Sequence, residues 1–77
     1  MKELIVVIKR KDFDTECYLN NTKKAIEFFL EAIKSDDKII NAYIMDNCTK
    51  DIYATYDKYE YLGGIRCDVW IQKSLTE

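Results

Sequence analysis

Apolar and polar residues alternate along the first part of the chain in the pattern of two paired β-strands. Residues 2–10 predict a first strand that is apolar on both sides. Its two sides carry Leu4, Val6 and Ile8, and Ile5 and Val7. Because both sides are apolar, we expect this strand to be an inner strand that is covered on both faces. Residues 13–19 alternate with a period of two, which predicts a half-buried strand in a hairpin with the first.

The next segment predicts one amphipathic helix over residues 22–35. No Gly or Pro interrupts it, and Asn21 or Thr22 can supply the N-terminal cap. At the helical period, the apolar stripe expected to face the sheet consists of Ile26, Phe29, Leu30 and Ile33. Phe28 lies about 150° from the centre of that stripe. It is therefore either a shoulder residue beside the core or a side chain that contacts a partner.

Three more strands follow the helix. They cover residues 39–45, 52–62 and 65–73. A turn joins the first two, and Gly63-Gly64 supplies a two-residue hairpin loop for the last two. The order β-β-α-β-β-β predicts a two-layer α+β domain, in which one helix packs on one face of an antiparallel sheet. At 77 residues the chain predicts a single domain, 1–77.

The Gly63-Gly64 loop would sort the side chains of the last hairpin onto two faces. It pairs Leu62 with Ile65 and Tyr56 with Ile71. The face expected beneath the helix holds Ile52, Ala54, Tyr56, Leu62, Ile65, Cys67, Val69 and Ile71. The other face holds Tyr53, Thr55, Asp57, Tyr59, Tyr61, Arg66, Asp68, Trp70 and Gln72.

A single helix of this length, about 21 Å, can cover only one face of a five-stranded sheet. The uncovered face is therefore expected to carry an aromatic surface of Tyr43, Tyr53, Tyr59, Tyr61, Arg66 and Trp70. These residue types are enriched at protein interfaces, which favours a binding face for protein. Two alternatives stay open. The aromatic side chains could pair across strands within the fold while partly exposed to solvent, or they could stack on the bases of a single-stranded nucleic acid. Nucleic acid ranks last, because Asp57, Glu60 and Asp68 lie among the rings.

Charge and hydropathy exclude several classes of protein. The first 24 residues carry six basic and four acidic residues, and the remainder carries six basic and ten acidic residues, so no basic stripe for DNA is present. No apolar run approaches the ~20 residues of a membrane span. The N-terminus has only five consecutive apolar residues, which predicts no signal peptide and a cytoplasmic protein.

The chain contains little that indicates catalysis, and we expect no enzyme and no cofactor. It has no His, and its three Cys are expected to be free thiols, Cys17 and Cys67 in the core and Cys48 in an exposed turn. Asp12, Asp14 and Glu16 have the spacing of the start of a calcium loop. The sixth and twelfth loop positions are Cys17 and Lys23 instead of Gly and Glu, so no metal site is expected.

Several segments have a residue pattern similar to that of a known group of proteins. They are Phe-Asp-Thr at 13–15, Ala-Ile-Glu-Phe-Phe at 25–29, Ile-Ile-Asn-Ala-Tyr-Ile-Met-Asp-Asn at 39–47, Cys-Thr-Lys-Asp at 48–51 and Ile-Tyr-Ala-Thr-Tyr at 52–56. In these segments the chain resembles small uncharacterised proteins of bacteriophages and mobile elements in low-GC bacteria. The resemblance implies a small α+β domain and a mobile-element setting, with anti-CRISPR and other anti-defence inhibitors among the relatives. It implies no functional residues.

The sequence therefore predicts a non-enzymatic protein-binding module. The expected partner-binding residues are Tyr43, Tyr53, Tyr59, Tyr61, Arg66, Trp70 and Phe28. The partner is either a foreign protein, such as a bacterial defence or nucleic-acid-processing complex that the module inhibits, or a second copy in a homodimer formed through the aromatic face.

Overall fold

The alternating segments of the chain form five strands, and the amphipathic segment forms one helix on a face of their sheet. The computed structural model describes residues 3–73. The elements are β1 (Leu4–Arg10), β2 (Asp14–Leu19), α1 (Thr22–Ser35), β3 (Ile39–Asp46), β4 (Ile52–Tyr61) and β5 (Gly64–Ile71). Neighbouring strands are all antiparallel, in the order β2-β1-β3-β4-β5. The predicted α+β architecture is confirmed.

β1 lies between β2 and β3 and is buried on both faces, as its sequence predicts. Leu4, Val6 and Ile8 belong to the core beneath α1. Ile5 and Val7 are buried on the face opposite α1. Their cross-strand neighbours are Glu16 and Tyr18 in β2 and Tyr43 and Met45 in β3. Side chains of the flanking strands therefore complete the burial of this inner strand.

α1 packs against β1 and β3 and also contacts β2. It begins after Asn21, whose Oδ1 accepts a hydrogen bond of 3.0 Å from the Lys24 N–H. Ala25 and Phe29 are the buried centre of its inner face. The prediction that Leu30 belongs to this face is wrong, since its side chain is 42% exposed. The buried side of the helix is centred on Ala25 and Phe29, and Leu30 lies outside it.

A bulge in β4 changes the position of Tyr53. Met45 pairs with Ile52, but Ile44 pairs with Ala54, so Tyr53 is the extra residue on its strand. Tyr53 packs against the buried core, and its hydroxyl donates to Oδ2 of Asp46 at 3.2 Å. The prediction that Tyr53 shares the open aromatic face is therefore wrong, because the bulge interrupts the alternation of side chains along β4.

The β4–β5 hairpin turns one residue earlier than predicted. Tyr61 pairs with Gly64, which leaves Leu62 and Gly63 as the loop. Gly64 has a φ of +137°, a conformation that favours glycine. The pairing differs from the predicted one by two residues, so side chains of β5 keep the faces that the sequence assigned to them.

β5 is far more exposed than predicted. Every residue from Gly64 to Trp70 is exposed, and Ile71 alone in this strand is partly buried against the core. A helix is about 10 Å across, which spans about two of the ~4.8 Å gaps between neighbouring strands. One helix therefore covers about three strands. The prediction that Ile65, Cys67 and Val69 lie beneath the helix is wrong: they are on its side of the sheet but beyond its width.

Arg10 connects the end of α1 to the β1–β2 hairpin. Its Nε donates to Oδ2 of Asp36, the C-terminal cap of the helix, at 2.6 Å. Its Nη1 donates to Oγ1 of Thr15 at 2.9 Å, and its guanidinium lies 4.7 Å from the centroid of the Phe13 ring. Oδ1 of Asp36 accepts from the Lys38 N–H. The Arg10 hydrogen bond, with the one from Lys38, lowers the pKa of Asp36 below its usual value.

We expect Asp36→Asn to destabilise the fold at pH 7 and to have little effect in acid. The pKa of Asp36 is lower in the folded chain than in the unfolded chain. The ionised side chain therefore stabilises the folded state in full at pH values above the unfolded pKa of about 3.9. That effect is lost as the pH falls through the folded value. Urea unfolding at pH 7 and at pH ~2.5 measures the difference. Asp37→Asn, at the exposed neighbouring position, is the control, and an equal loss in both variants contradicts the Arg10 contact.

The orientation of α1 makes a second prediction. Phe29→Ala removes a fully buried ring and should cost about 3–5 kcal/mol of unfolding free energy. Leu30→Ala should cost at most about 1 kcal/mol, because this side chain already faces solvent. Urea unfolding of the two variants checks the ranking. Equal losses would mean that the helix is rotated from the orientation described.

Candidate protein-binding surface

The face of the sheet opposite α1, called the open face below, carries most of the predicted binding residues. Tyr43 lies opposite Thr55, and Thr55 lies opposite Trp70, so these three side chains form a row across β3, β4 and β5. Tyr59 lies opposite Arg66 further along the same hairpin. The strand register therefore places Tyr43, Tyr59, Arg66 and Trp70 on one continuous face, as predicted.

The accessible part of this face is on the β4–β5 hairpin. Trp70 is 51% exposed, Tyr61 59% and Tyr59 42%. We call the group formed by these three rings and Arg66 the hairpin surface. Tyr43 is partly buried nearer the sheet centre, with the Nζ of Lys9 5.9 Å from the centroid of its ring. Tyr43 therefore borders the hairpin surface and is less accessible to a partner.

A hydrogen-bonded cluster fixes the middle of the hairpin surface. The hydroxyl of Tyr59 donates to Oδ2 of Asp68, and Nε of Arg66 donates to Oδ1 of the same carboxylate at 3.3 Å. The Tyr59 hydrogen bond lowers the pKa of Asp68, and Arg66 adds to this effect. The same hydrogen bond raises the pKa of Tyr59. The ionised carboxylate of Asp68 therefore contacts Tyr59 across the hairpin and Arg66 along its own strand.

On the helix side of the hairpin, a second exposed apolar group was not predicted. Ile65 is 59% exposed and Val69 49% exposed, and Leu62 at the hairpin tip is fully exposed. The sequence marked these residues as apolar but assigned them to the core. The signal that could have identified them is the width of a helix, which is smaller than the width of five strands.

Cys67 lies between Ile65 and Val69, and its thiol is also exposed. Its Sγ accepts a hydrogen bond of 3.4 Å from the hydroxyl of Tyr56, a residue that is itself buried. Burial, together with this contact, raises the pKa of Tyr56 to about 12. Cys48 is exposed in the β3–β4 turn, as predicted, and Cys17 packs against the core.

Phe28 lies apart from the other predicted binding residues. It is on the outer side of α1, where it forms a shallow groove with Leu30 between charged side chains of the same helix. The sheet separates this groove from the open face. The structure therefore does not bring Phe28 together with Trp70, although the ring is accessible.

A groove of about 590 Å³ lies beside the end of α1, where Phe13 and Ile40 form part of its lining. Asp12 borders this groove, while Asp14 and Glu16 are exposed on β2. Among residues 3–73, no group of three or more His, Cys, Asp or Glu side chains is arranged to hold a metal ion.

No protein-family model matches this chain, and no curated protein or solved structure matches it either. Over the described residues, no helix has the length and apolar character required to cross a membrane. The location of a binding surface therefore has to be inferred from the exposed side chains of the molecule itself.

The cluster in the hairpin surface makes a testable prediction about titration. Tyr59→Phe removes the main hydrogen bond to Asp68, so the pKa of Asp68 should rise towards its usual value. Tyr61→Phe, on the same face but outside the cluster, is the matched control and should leave it unchanged. Carboxyl-carbon NMR titration of Asp68 measures both. If the two variants titrate alike, the hydrogen bond is absent in solution.

Proposed function

We propose that this chain is a non-enzymatic protein-binding module and that it binds through the hairpin surface. The proposed partner is a bacterial defence or nucleic-acid-processing complex, which the module inhibits in the cytoplasm of its host. Support for this class of partner comes from the resemblance of residues 13–56 to small proteins of bacteriophages and mobile elements. Support for the surface comes from its geometry.

The observation that carries the proposal is the exposure of three large aromatic rings on two hydrogen-bonded strands. Tyr59, Tyr61 and Trp70 are each more than two-fifths exposed, on one face of the β4–β5 hairpin. The main-chain ladder between the strands already fixes their backbone, so binding would order only the side chains. Aromatic side chains can bury large areas at an interface while their polar atoms keep hydrogen bonds. Such residues dominate the binding energy of protein interfaces.

The electrostatics of the hairpin surface favour protein over nucleic acid. Arg66 is paired with Asp68, and Asp57 lies opposite Asp68 on the adjacent strand. A strand of phosphates would meet these carboxylates, while the cation of the hairpin surface is already engaged. A protein partner can place polar or basic groups beside the carboxylates and still pack on the rings.

We expect Trp70→Ala combined with Tyr59→Ala to weaken partner binding strongly while the fold is retained. The rings are substantially exposed, so their removal should shift the thermal midpoint by only a few degrees. Loss of two interface aromatics should weaken binding at least about 100-fold. Quantitative affinity capture from a bacterial lysate, followed by titration with the purified captured protein, measures the effect.

The matched control is Ile40→Ala, since Ile40 is a comparably exposed apolar side chain of the sheet outside the hairpin surface. It should bind as the wild type does. Unfolding of the double variant would falsify the proposal, because the rings would then be structural. Capture of the same protein by the double variant also contradicts it, as does the absence of any reproducible partner of the wild type. Quenching of Trp70 fluorescence by a single-stranded oligonucleotide, lost steeply with salt, would assign the surface to nucleic acid instead.

A further inference from the structure

β5 forms one edge of the sheet, and half of its main-chain groups point away from β4. The N–H of Gln72 donates to the carbonyl of Tyr53 at 2.8 Å, which continues the β4–β5 register. Hydrogen-bonded pairs alternate along an antiparallel ladder, so the even-numbered residues of β5 bond β4. Ile65, Cys67 and Val69 therefore direct their N–H and C=O groups outward, where another strand can pair with them.

This edge has few of the features that keep sheets from pairing with other chains. Within Gly64–Ile71 there is no Lys and no Pro, and the register with β4 has no bulge. The side chains of Ile65 and Val69 are also half-exposed on the helix side. β5 carries one cation and one anion, Arg66 and Asp68, whereas the opposite edge, β2, carries two acids, Asp14 and Glu16, which would repel a second copy of the same strand. β5 is thus the edge that is chemically suited to accept a strand.

One antiparallel register of β5 with itself places residues of opposite charge opposite each other. In a second ladder, a residue whose main-chain groups point outward must lie opposite another such residue, and in β5 these are the odd-numbered residues. In a symmetric antiparallel pair, one residue of β5 therefore lies opposite the same residue of the second copy, and the two-fold axis passes between these two. An axis at Arg66 places Arg opposite Arg, and an axis at Asp68 places Asp opposite Asp. An axis at Cys67 places Arg66 of each copy opposite Asp68 of the other, and Ile65 opposite Val69.

We propose that β5 pairs with β5 of a second copy of this chain about a two-fold axis at Cys67. Ile65, Cys67 and Val69 of each copy exchange main-chain hydrogen bonds, which leaves the ladder to β4 intact. Each Arg66 keeps its contact with Asp68 of its own chain and also lies opposite Asp68 of the other copy, so the four groups form a cluster of alternating charge. The Ile65–Val69 pairs bury apolar surface on the helix side. Trp70 lies opposite Gly64, where an aromatic ring can cover a glycine.

The resulting dimer has one continuous sheet. Because the axis is perpendicular to the sheet, both helices lie on the same side and both open faces lie on the other. The hairpin surfaces of the two copies then adjoin each other, and their rings on β4, Tyr59 and Tyr61, remain accessible. This inference does not depend on the proposed function, and it differs from dimerisation by stacking of the two aromatic faces.

Charge reversal tests the register. In Arg66→Asp, the introduced carboxylate of each copy meets Asp68 of the other, and in Asp68→Arg two guanidinium groups meet in the same way. Each variant alone should dimerise at least about tenfold more weakly than the wild type, which corresponds to about 1.4 kcal/mol. An equimolar mixture of the two variants restores opposite charges and should form heterodimers. Sedimentation equilibrium over a hundredfold range of protein concentration measures all four samples.

A second pair of variants tests the main-chain pairing without changing charge. Val69→Pro removes an outward-directed N–H and no hydrogen bond to β4, so the monomer should keep its fold. It should be monomeric wherever the wild type is dimeric. Val69→Thr keeps the N–H and the side-chain shape, and should dimerise within about threefold of the wild type. Circular dichroism confirms that both variants are folded.

Cys67 supplies a direct reporter of the axis. The Cα atoms of a hydrogen-bonded antiparallel pair are about 5.5 Å apart, within the range of a disulfide. In a Cys48→Ser background, oxidation by diamide should join the two Cys67 thiols, which lose two electrons and two protons to the diamide as the S–S bond forms. Cys67→Ser in the same background should give no covalent dimer.

Three results would overturn the proposal. The first is a wild-type chain that stays monomeric over the whole concentration range. The second is a dimer that the charge reversals and Val69→Pro leave unchanged, which would place the contact elsewhere, for example on the open face. The third is a mixture of Arg66→Asp and Asp68→Arg that forms no heterodimer although both variants are folded.

Discussion

The width of one helix is the constraint on which the rest of this structure depends. A helix about 10 Å across can cover roughly three strands spaced ~4.8 Å apart, and this chain has five strands and one helix over its described residues. α1 lies over β1 and β3, whose inward residues form the core with Phe29. β4 lies at the margin of that core, and β5 lies beyond it. The exposed surfaces of the molecule therefore follow from the position of each strand in the sheet.

Position in the sheet also explains why similar residues have different environments. Ile5 and Val7 face away from the helix, yet they are buried because strands flank β1 on both sides. Val69 faces the helix side and is half-exposed, because β5 has a neighbour on one side only and lies outside the width of α1. Burial in this sheet thus depends on neighbouring strands as much as on the covering layer.

Local patterns were sufficient to predict the elements and most side-chain faces. The helix bounds, a cap at Asn21 or Thr22 and the inner position of β1 all follow from residues close together in sequence. The two-residue error in the hairpin pairing had no effect on the faces, since side chains alternate with a period of two. Tyr43, Tyr59, Arg66 and Trp70 therefore lie on the face that the pattern assigned to them.

The incorrect predictions concern residues whose positions depend on contacts between parts of the chain that are distant in sequence. Tyr53 leaves the open face because Asp46 is buried and uses both of its oxygens: Oδ1 accepts the N–H groups of Cys48 and Thr49, and Oδ2 accepts the Tyr53 hydroxyl. A buried carboxylate needs these partners, and the bulge in β4 is compatible with supplying one of them. Leu30 and Cys67 were misplaced for a related reason. Their exposure depends on the rotation and lateral position of α1, which no local pattern encodes.

The exposed hairpin places two kinds of recognition on one segment. Its side chains on the open face are rings around a neutralised Arg–Asp pair, which suits contact with a shaped protein surface. Its main chain at the edge is a row of hydrogen-bonding groups, which suits another strand. Arg66 and Trp70 lie on β5 itself and belong to both surfaces, whereas Tyr59 and Tyr61 lie on β4, one strand away from the edge. In the proposed dimer, Tyr59 and Tyr61 therefore stay on the open face for a protein partner, while Arg66 and Trp70 border the second copy.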